Sequence, residues 1–273
     1  MFIGLVYVIL FMVTASIGVA FGALEISTTF VDPSIVMFSL LIGGILSAIV
    51  VGAVSVKLPL PRDQRIGVLF LTVYMFSYLI AAPETALFTT MSLSFQIFIL
   101  IQQLILNLVL SILIGFLFTP PLISDRLITE VKSYFSQRDG KDWLWRFALA
   151  AVLFFPIYYF FGWVFSPVTA PYYNRPELRL GLVLPSFEVW LPVEIGRGLI
   201  YALTMIPLLA VLRMPRWRLG IWSGLILATV GAVVPQLVNA SWPFSLRIGH
   251  GAEMVLDSFA QGLMIAWLLW VKK

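Results

Sequence analysis

"SFQIFILIQQLILNLVLSILIGFLF" (94–118) contains no charged residue, and its few polar groups are amides and hydroxyls. At 1.5 Å of rise per residue, a helix of this length crosses the roughly 30 Å hydrocarbon core of a bilayer. A helix on the surface of a soluble domain would pair an apolar stripe with a charged face. Here the charged face is missing, so the stretch predicts a membrane span. Working outward, comparable runs lie near 2–24, 34–56, 66–86, 144–165, 193–212, 219–240 and 251–271. The expected fold is all-α: a polytopic membrane helical bundle of about eight transmembrane helices in one integral membrane domain, 1–273. The composition agrees, being 61% hydrophobic and 11% charged, whereas soluble domains carry about 25% charged residues. The mean hydropathy is +1.02.

The chain has no cysteine, which excludes disulfides, thiolate metal sites and cysteine nucleophiles. The first apolar run lacks a basic region before it and reads as a retained anchor, not a cleaved signal peptide.

The basic residues set an orientation, because cytoplasmic loops are enriched in Lys and Arg. Thirteen of the 17 lie in connections on one side, among them Lys57, Arg62, Arg126, Lys141, Arg213 and Arg218. Only Arg175, Arg179, Arg197 and Arg247 lie on the other. The bias alternates through all eight spans and predicts a multi-pass protein of the plasma (inner) membrane with both termini cytoplasmic. The basic residues are accounted for by topology, so no nucleic-acid partner is expected. The acids are skewed the opposite way: Glu25, Glu84, Glu188, Glu194, Glu253 and Asp257 lie at or near the outer ends.

Two connections carry patterns of their own. In "PPLISDRLITEVKSYF" (120–135), Ile123, Leu127, Val131 and Tyr134/Phe135 share one helical face, with Pro121 suited to a first turn and Gly140 to a stop. This predicts a short helix on the cytoplasmic membrane surface, with Arg126 and Lys132 near head groups. The alternative is a docking helix for a membrane-protein partner. The outer connection 166–192 holds five prolines and several aromatics, and either caps the bundle mouth or sits at the interface.

The two halves, 1–118 and 144–273, are candidate copies in a 4+4 duplication, the alternative being short basic loops that arose independently. "PRDQRIGV" (61–68) and "PRWRLGI" (215–221) follow spans 2 and 6, and Pro83-Glu84 matches Pro235-Gln236 at nearly the same offset. Copies of four spans keep their orientation and relate by an axis along the membrane normal.

The chemistry concentrates in "RIGHGAEMVLD" (247–257), which holds the only histidine. At 100° per residue, Arg247, His250, Glu253, Asp257 and Gln261 fall on one face. A carboxylate at the depth of Asp257 costs several kcal/mol against lipid, so the stripe must face protein or water. Span 4 carries a stripe of Gln96, Gln103, Asn107 and Ser111, the kind of amide set that hydrogen-bonds helices together. Glu194, Arg197 and Tyr201 share a face of span 6. Gly44, Ala48 and Gly52 in span 2 read as close helix packing. The expectation is a polar chamber open to the extracytoplasmic face. Its candidate substrate- or proton-binding residues are Glu25, Glu84, Glu194, Arg197, Arg247, His250, Glu253 and Asp257. Span 8 would point its stripe toward spans 4 and 6, with Glu194 or Arg197 joining it by hydrogen bonds, directly or through one water.

One histidine and no cysteine make a closed zinc site improbable, and no metal or other cofactor is expected. G-x-S-x-G, phosphate-loop and H-E-x-x-H motifs are absent. "VEIGRGLIYAL" (193–203) is faintly similar to the glutamate-dependent CAAX-type intramembrane proteases. The paired glutamate of their motif is missing, and Glu194 precedes Arg197 by three positions in place of four, so membership is not assigned. Three function classes stay open. The first is a transporter or binding protein for a small-molecule or lipid ligand from the outer face. The second is an outer-leaflet hydrolase using His250 with Glu253 or Asp257. The third is an accessory or assembly subunit of a membrane complex.

Overall fold

The structure is a computed structural model that describes residues 1–21, 33–122, 126–238 and 242–272. Among them, eight helical stretches are long and apolar enough to cross a bilayer. Spans 1, 2, 4 and 5 are single helices at Phe2–Ala20, Pro33–Ser55, Leu93–Leu117 and Gly140–Thr169. Spans 6 and 8 are Phe187–Val211 and Phe244–Leu269. Large apolar side chains such as Ile9, Ile49, Phe116, Trp163 and Trp267 are exposed around the bundle, which suits a lipid environment.

Span 8 differs from the sequence expectation. Its helix starts at Phe244, behind Pro243, so "RIGH" lies within its first two turns and not ahead of it. Span 6 likewise starts at Phe187, above the hydrophobic run. Backbone hydrogen bonding continues the helix through residues too polar to raise hydropathy.

Spans 3 and 7 are composite. Span 3 runs as α-helix Arg62–Tyr74, a π-helical turn Met75–Leu79 and α-helix Ala82–Phe88. Span 7 repeats this order as Arg216–Ile226, π-helix Leu227–Val233 and Val234–Val238. The two spans meet at these π segments, where a Cβ on Gly231 would lie 3.2 Å from the Phe76 carbonyl oxygen. The packing order is also shared. Span 1 packs on spans 2 and 4 as span 5 packs on spans 6 and 8, and span 3 packs on 4 as 7 packs on 8.

Small residues set the closest approaches. A Cβ on Gly44 would meet the Gly4 Cα at 2.9 Å, and one on Gly262 would meet the Gly224 Cα at 2.5 Å. Spans 1 and 2, and spans 7 and 8, therefore touch backbone to backbone, as small residues permit in lipid. The span 4 amides also pack helices. Asn107 Nδ2 donates to Ser77 Oγ at 2.9 Å on span 3, and Gln102 Nε2 donates to Thr14 Oγ1 at 2.8 Å on span 1.

The end bearing most of the Lys and Arg residues is tied down by side chains. Arg65, 1% exposed, donates to the carbonyls of Leu60 and Gly115, so this loop-adjacent arginine is a buried brace. The helix expected over 120–135 is shorter, Leu127–Phe135, and residues 119–122 are not helical. Ile123 lies outside the described residues. This helix does not simply float on a surface. Tyr134 is fully buried and its hydroxyl donates to Leu269 O at 2.7 Å, while Gln64 Oε1 accepts from Leu127 N. Arg146 and Arg138 donate to Leu268 O and Trp270 O. These donors satisfy carbonyls at the end of span 8 that no further helical turn can reach.

Candidate functional site

At the opposite end, the break in span 3 shapes the site. The regular α-helical pattern is interrupted by a turn at Ile80 and Ala81, both with right-handed helical backbone angles, between the π turn and the helix that begins with Ala82-Pro83. The Ile80 carbonyl is thereby turned to span 6, where it accepts from Arg197 Nε at 3.1 Å. Glu84, in the first turn of the new helix, receives Arg197 Nη2 at 2.6 Å. Arg197 Nη1 binds both oxygens of Glu194, at 2.8 and 2.6 Å. All three guanidinium nitrogens are thus used, and two carboxylates share one cation. Glu194 is 0% exposed.

Aromatic side chains close this network. The Tyr158 hydroxyl on span 5 donates to Glu84 Oε1 at 2.6 Å. The Arg197 guanidinium lies 5.6 Å from the Phe154 ring centre and 5.8 Å from that of Tyr158. Tyr201 stacks between Phe76 and Phe154. Sequence reading missed Tyr158, because an aromatic in an apolar run reads as packing until its neighbours are known.

Span 8 supplies the second part. His250 Nδ1 lies 3.1 Å from Glu253 Oε2. A Cβ on Gly162 of span 5 would be 3.4 Å from Glu253 Oε1, so Glu253 faces span 5. Asp257, 5% exposed, lies within electrostatic reach of Glu253, Glu84 and Arg197. The stripe of Glu253, Asp257 and Gln261 is buried, as the cost of a lipid-facing carboxylate requires.

One expectation needs correcting. Span 8 packs chiefly on spans 7 and 5 and touches span 6 only lightly, while span 4 turns its amides to spans 1 and 3. Of the two links expected between Glu194 or Arg197 and the stripe, direct or through one water, the direct one is not formed among the described residues. Arg247 does not pair with Glu253. It donates to Leu237 O on span 7 at 3.2 Å, leaving Glu253 to His250. Glu25 lies outside the described residues.

The connection between spans 5 and 6 folds over this end. Thr90 N donates to Gly181 O and Val183 N to Phe88 O, pinning residues 181–183 along the end of span 3. Gly181 has φ +65°, and a Cβ there would lie 2.8 Å from Thr90 Oγ1, so glycine suits both the turn and the approach. Tyr173 lies over the cluster. Burial, followed by the nearby Glu253 and Glu84 charges, pushes its phenol above the ordinary tyrosine range. Comparison with protein-family models, curated proteins and solved structures found no match to this chain.

Proposed function

We propose that this chain is a membrane transport or ligand-binding protein that uses the carboxylates of spans 3, 6 and 8 to take up and release protons. The observation that carries this reading is a charge excess in a buried place. Glu84, Glu194, Glu253 and Asp257 lie at one end of the bundle, and among the described residues the cations paired with them are one guanidinium, Arg197, and the imidazole of His250, while Arg247 is turned to the Leu237 carbonyl. A buried ion without a counter-charge costs several kcal/mol, so bound protons or a cation must balance the remainder. Among the described residues no three such ligands are grouped to hold a metal ion, which favours the proton.

Two further features support this reading. The matching π segments of spans 3 and 7 and the shared packing order fit a 4+4 duplication, an arrangement found in transporters. The Lys and Arg bias favours a plasma-membrane protein with both termini cytoplasmic, so the cluster faces outward and a small-molecule or lipid ligand arrives from that side.

The hydrolase reading has one contact in its favour, the His250–Glu253 pair, in which a carboxylate orients an imidazole as in general-base sites. Cells that depend on the protein separate the two. Asp257→Asn and Glu84→Gln abolish the function at unchanged expression in the transport reading, whereas His250→Ala is tolerated. The reverse pattern selects the hydrolase. Silence of all three removes both and leaves the accessory role.

A further inference from the structure

At the basic end, away from the carboxylate cluster, spans 2, 6 and 7 finish around a cavity of about 550 Å³. Its polar wall is Lys57, Arg213 and Arg218, and its lining includes no acid. Glu130 of the short connecting helix pairs with Arg213 from outside the lining. The set therefore keeps a positive excess, carried by Lys57 and Arg218. Both lie over tryptophans: Lys57 Nζ is 5.2 Å from the Trp222 ring centre, and the Arg218 guanidinium is 5.0 Å from that of Trp217. Cations stacked on indoles hold a fixed direction while their N–H groups remain free to meet an anion.

The other wall is apolar. Ile221 and Leu225 line the cavity and continue onto the exposed face of span 7, at 38% and 37% exposure. On the far flank of the same helix, a second groove of about 490 Å³ runs beside Leu263, Met264 and Trp267, with Arg216 at its mouth. Arg216 lies 4.3 Å from the Trp267 ring centre.

We propose that this cavity seats an anionic phospholipid, its phosphate between Lys57 and Arg218 and an acyl chain along Ile221 and Leu225. Cations and indoles at the ends of membrane spans stand at head-group height, and basic pockets there suit anionic head groups. A free phosphate would satisfy the cations alone and would leave the apolar wall, which leads out into the bilayer, without purpose. A zwitterionic lipid would bring its own cation into a site already in positive excess.

The test uses the full-length protein in a neutral detergent, delipidated and titrated with phosphatidylglycerol, with phosphatidylcholine of the same chains, and with inorganic phosphate. Bound lipid is counted by native mass spectrometry. Phosphatidylglycerol is expected to bind tightest. Each lost cation should weaken it about five-fold, so Lys57→Gln with Arg218→Gln should weaken it on the order of twenty-fold. Lys57→Arg with Arg218→Lys should retain it, and the unfolding temperature without lipid should stay unchanged in both double variants, since these side chains are exposed. Equal binding of the two lipids, or affinity unchanged in the glutamine variant, overturns the proposal. Displacement of phosphatidylglycerol by millimolar inorganic phosphate also overturns it, in favour of a plain anion site.

Discussion

Arg197 on span 6 reaches across to Glu84 on span 3 at 2.6 Å while its other amino group holds both oxygens of Glu194 on its own helix. One guanidinium thereby joins the two halves of the chain at the end where the bundle is least basic. Removing one member of a buried ion network costs more than the network itself contributes, because a desolvated charge is left unpaired. Arg197→Leu should therefore destabilise by roughly 3–5 kcal/mol in detergent unfolding. Adding Glu84→Gln and Glu194→Gln should recover much of the loss. If the single and triple variants unfold alike, the network is not what holds spans 3 and 6 together.

The amides of span 4 should behave differently. Gln102 bonds Thr14 across the interface between spans 4 and 1. Interhelical hydrogen bonds in lipid are worth on average about 0.6 kcal/mol, so Gln102→Leu should shift unfolding by less than about 1 kcal/mol and leave function intact.

Tyr134→Phe tests the docking of the short connecting helix. The change removes the only atom that donates from Tyr134 to Leu269 O, and an unpaired buried carbonyl costs roughly 1–3 kcal/mol. Hydrogen exchange at the end of span 8 should accelerate, while spans 1 and 2 stay unchanged. Exchange that rises evenly everywhere would mean that the helix braces the whole bundle.

The positions of the spans were legible because twenty apolar residues have few alternatives to crossing a bilayer. Hydropathy could not place the starts of spans 6 and 8, where Glu188 and Arg247 already lie within the helix. The π segments of spans 3 and 7 were invisible, since widening one helical turn leaves composition untouched. At the candidate site, face periodicity put Glu253 and Asp257 on one stripe and made them buried. It could not say that span 5 would be the neighbour, so Tyr158 was missed and span 4 was wrongly included. Which helices adjoin is decided by matched small residues such as Gly224 and Gly262.

Orientation can be read directly, because the chain has no native cysteine to interfere. Cysteine at position 177, where the Glu177 side chain is 58% exposed, should react with a membrane-impermeant maleimide in intact cells. Cysteine at position 217, where Trp217 is 57% exposed at the basic end, should react only after permeabilisation. The opposite pattern would reverse the assignment of the termini.

The central claim is that the buried carboxylates exchange protons with one side of the membrane. Charge displacement after a pH jump, recorded from proteoliposomes on a solid-supported membrane, tests this without knowledge of any ligand. The account predicts a transient current in the native protein that is lost in Asp257→Asn and in Glu84→Gln and retained in His250→Ala. An undiminished current in Asp257→Asn, or none in the native protein, would contradict it.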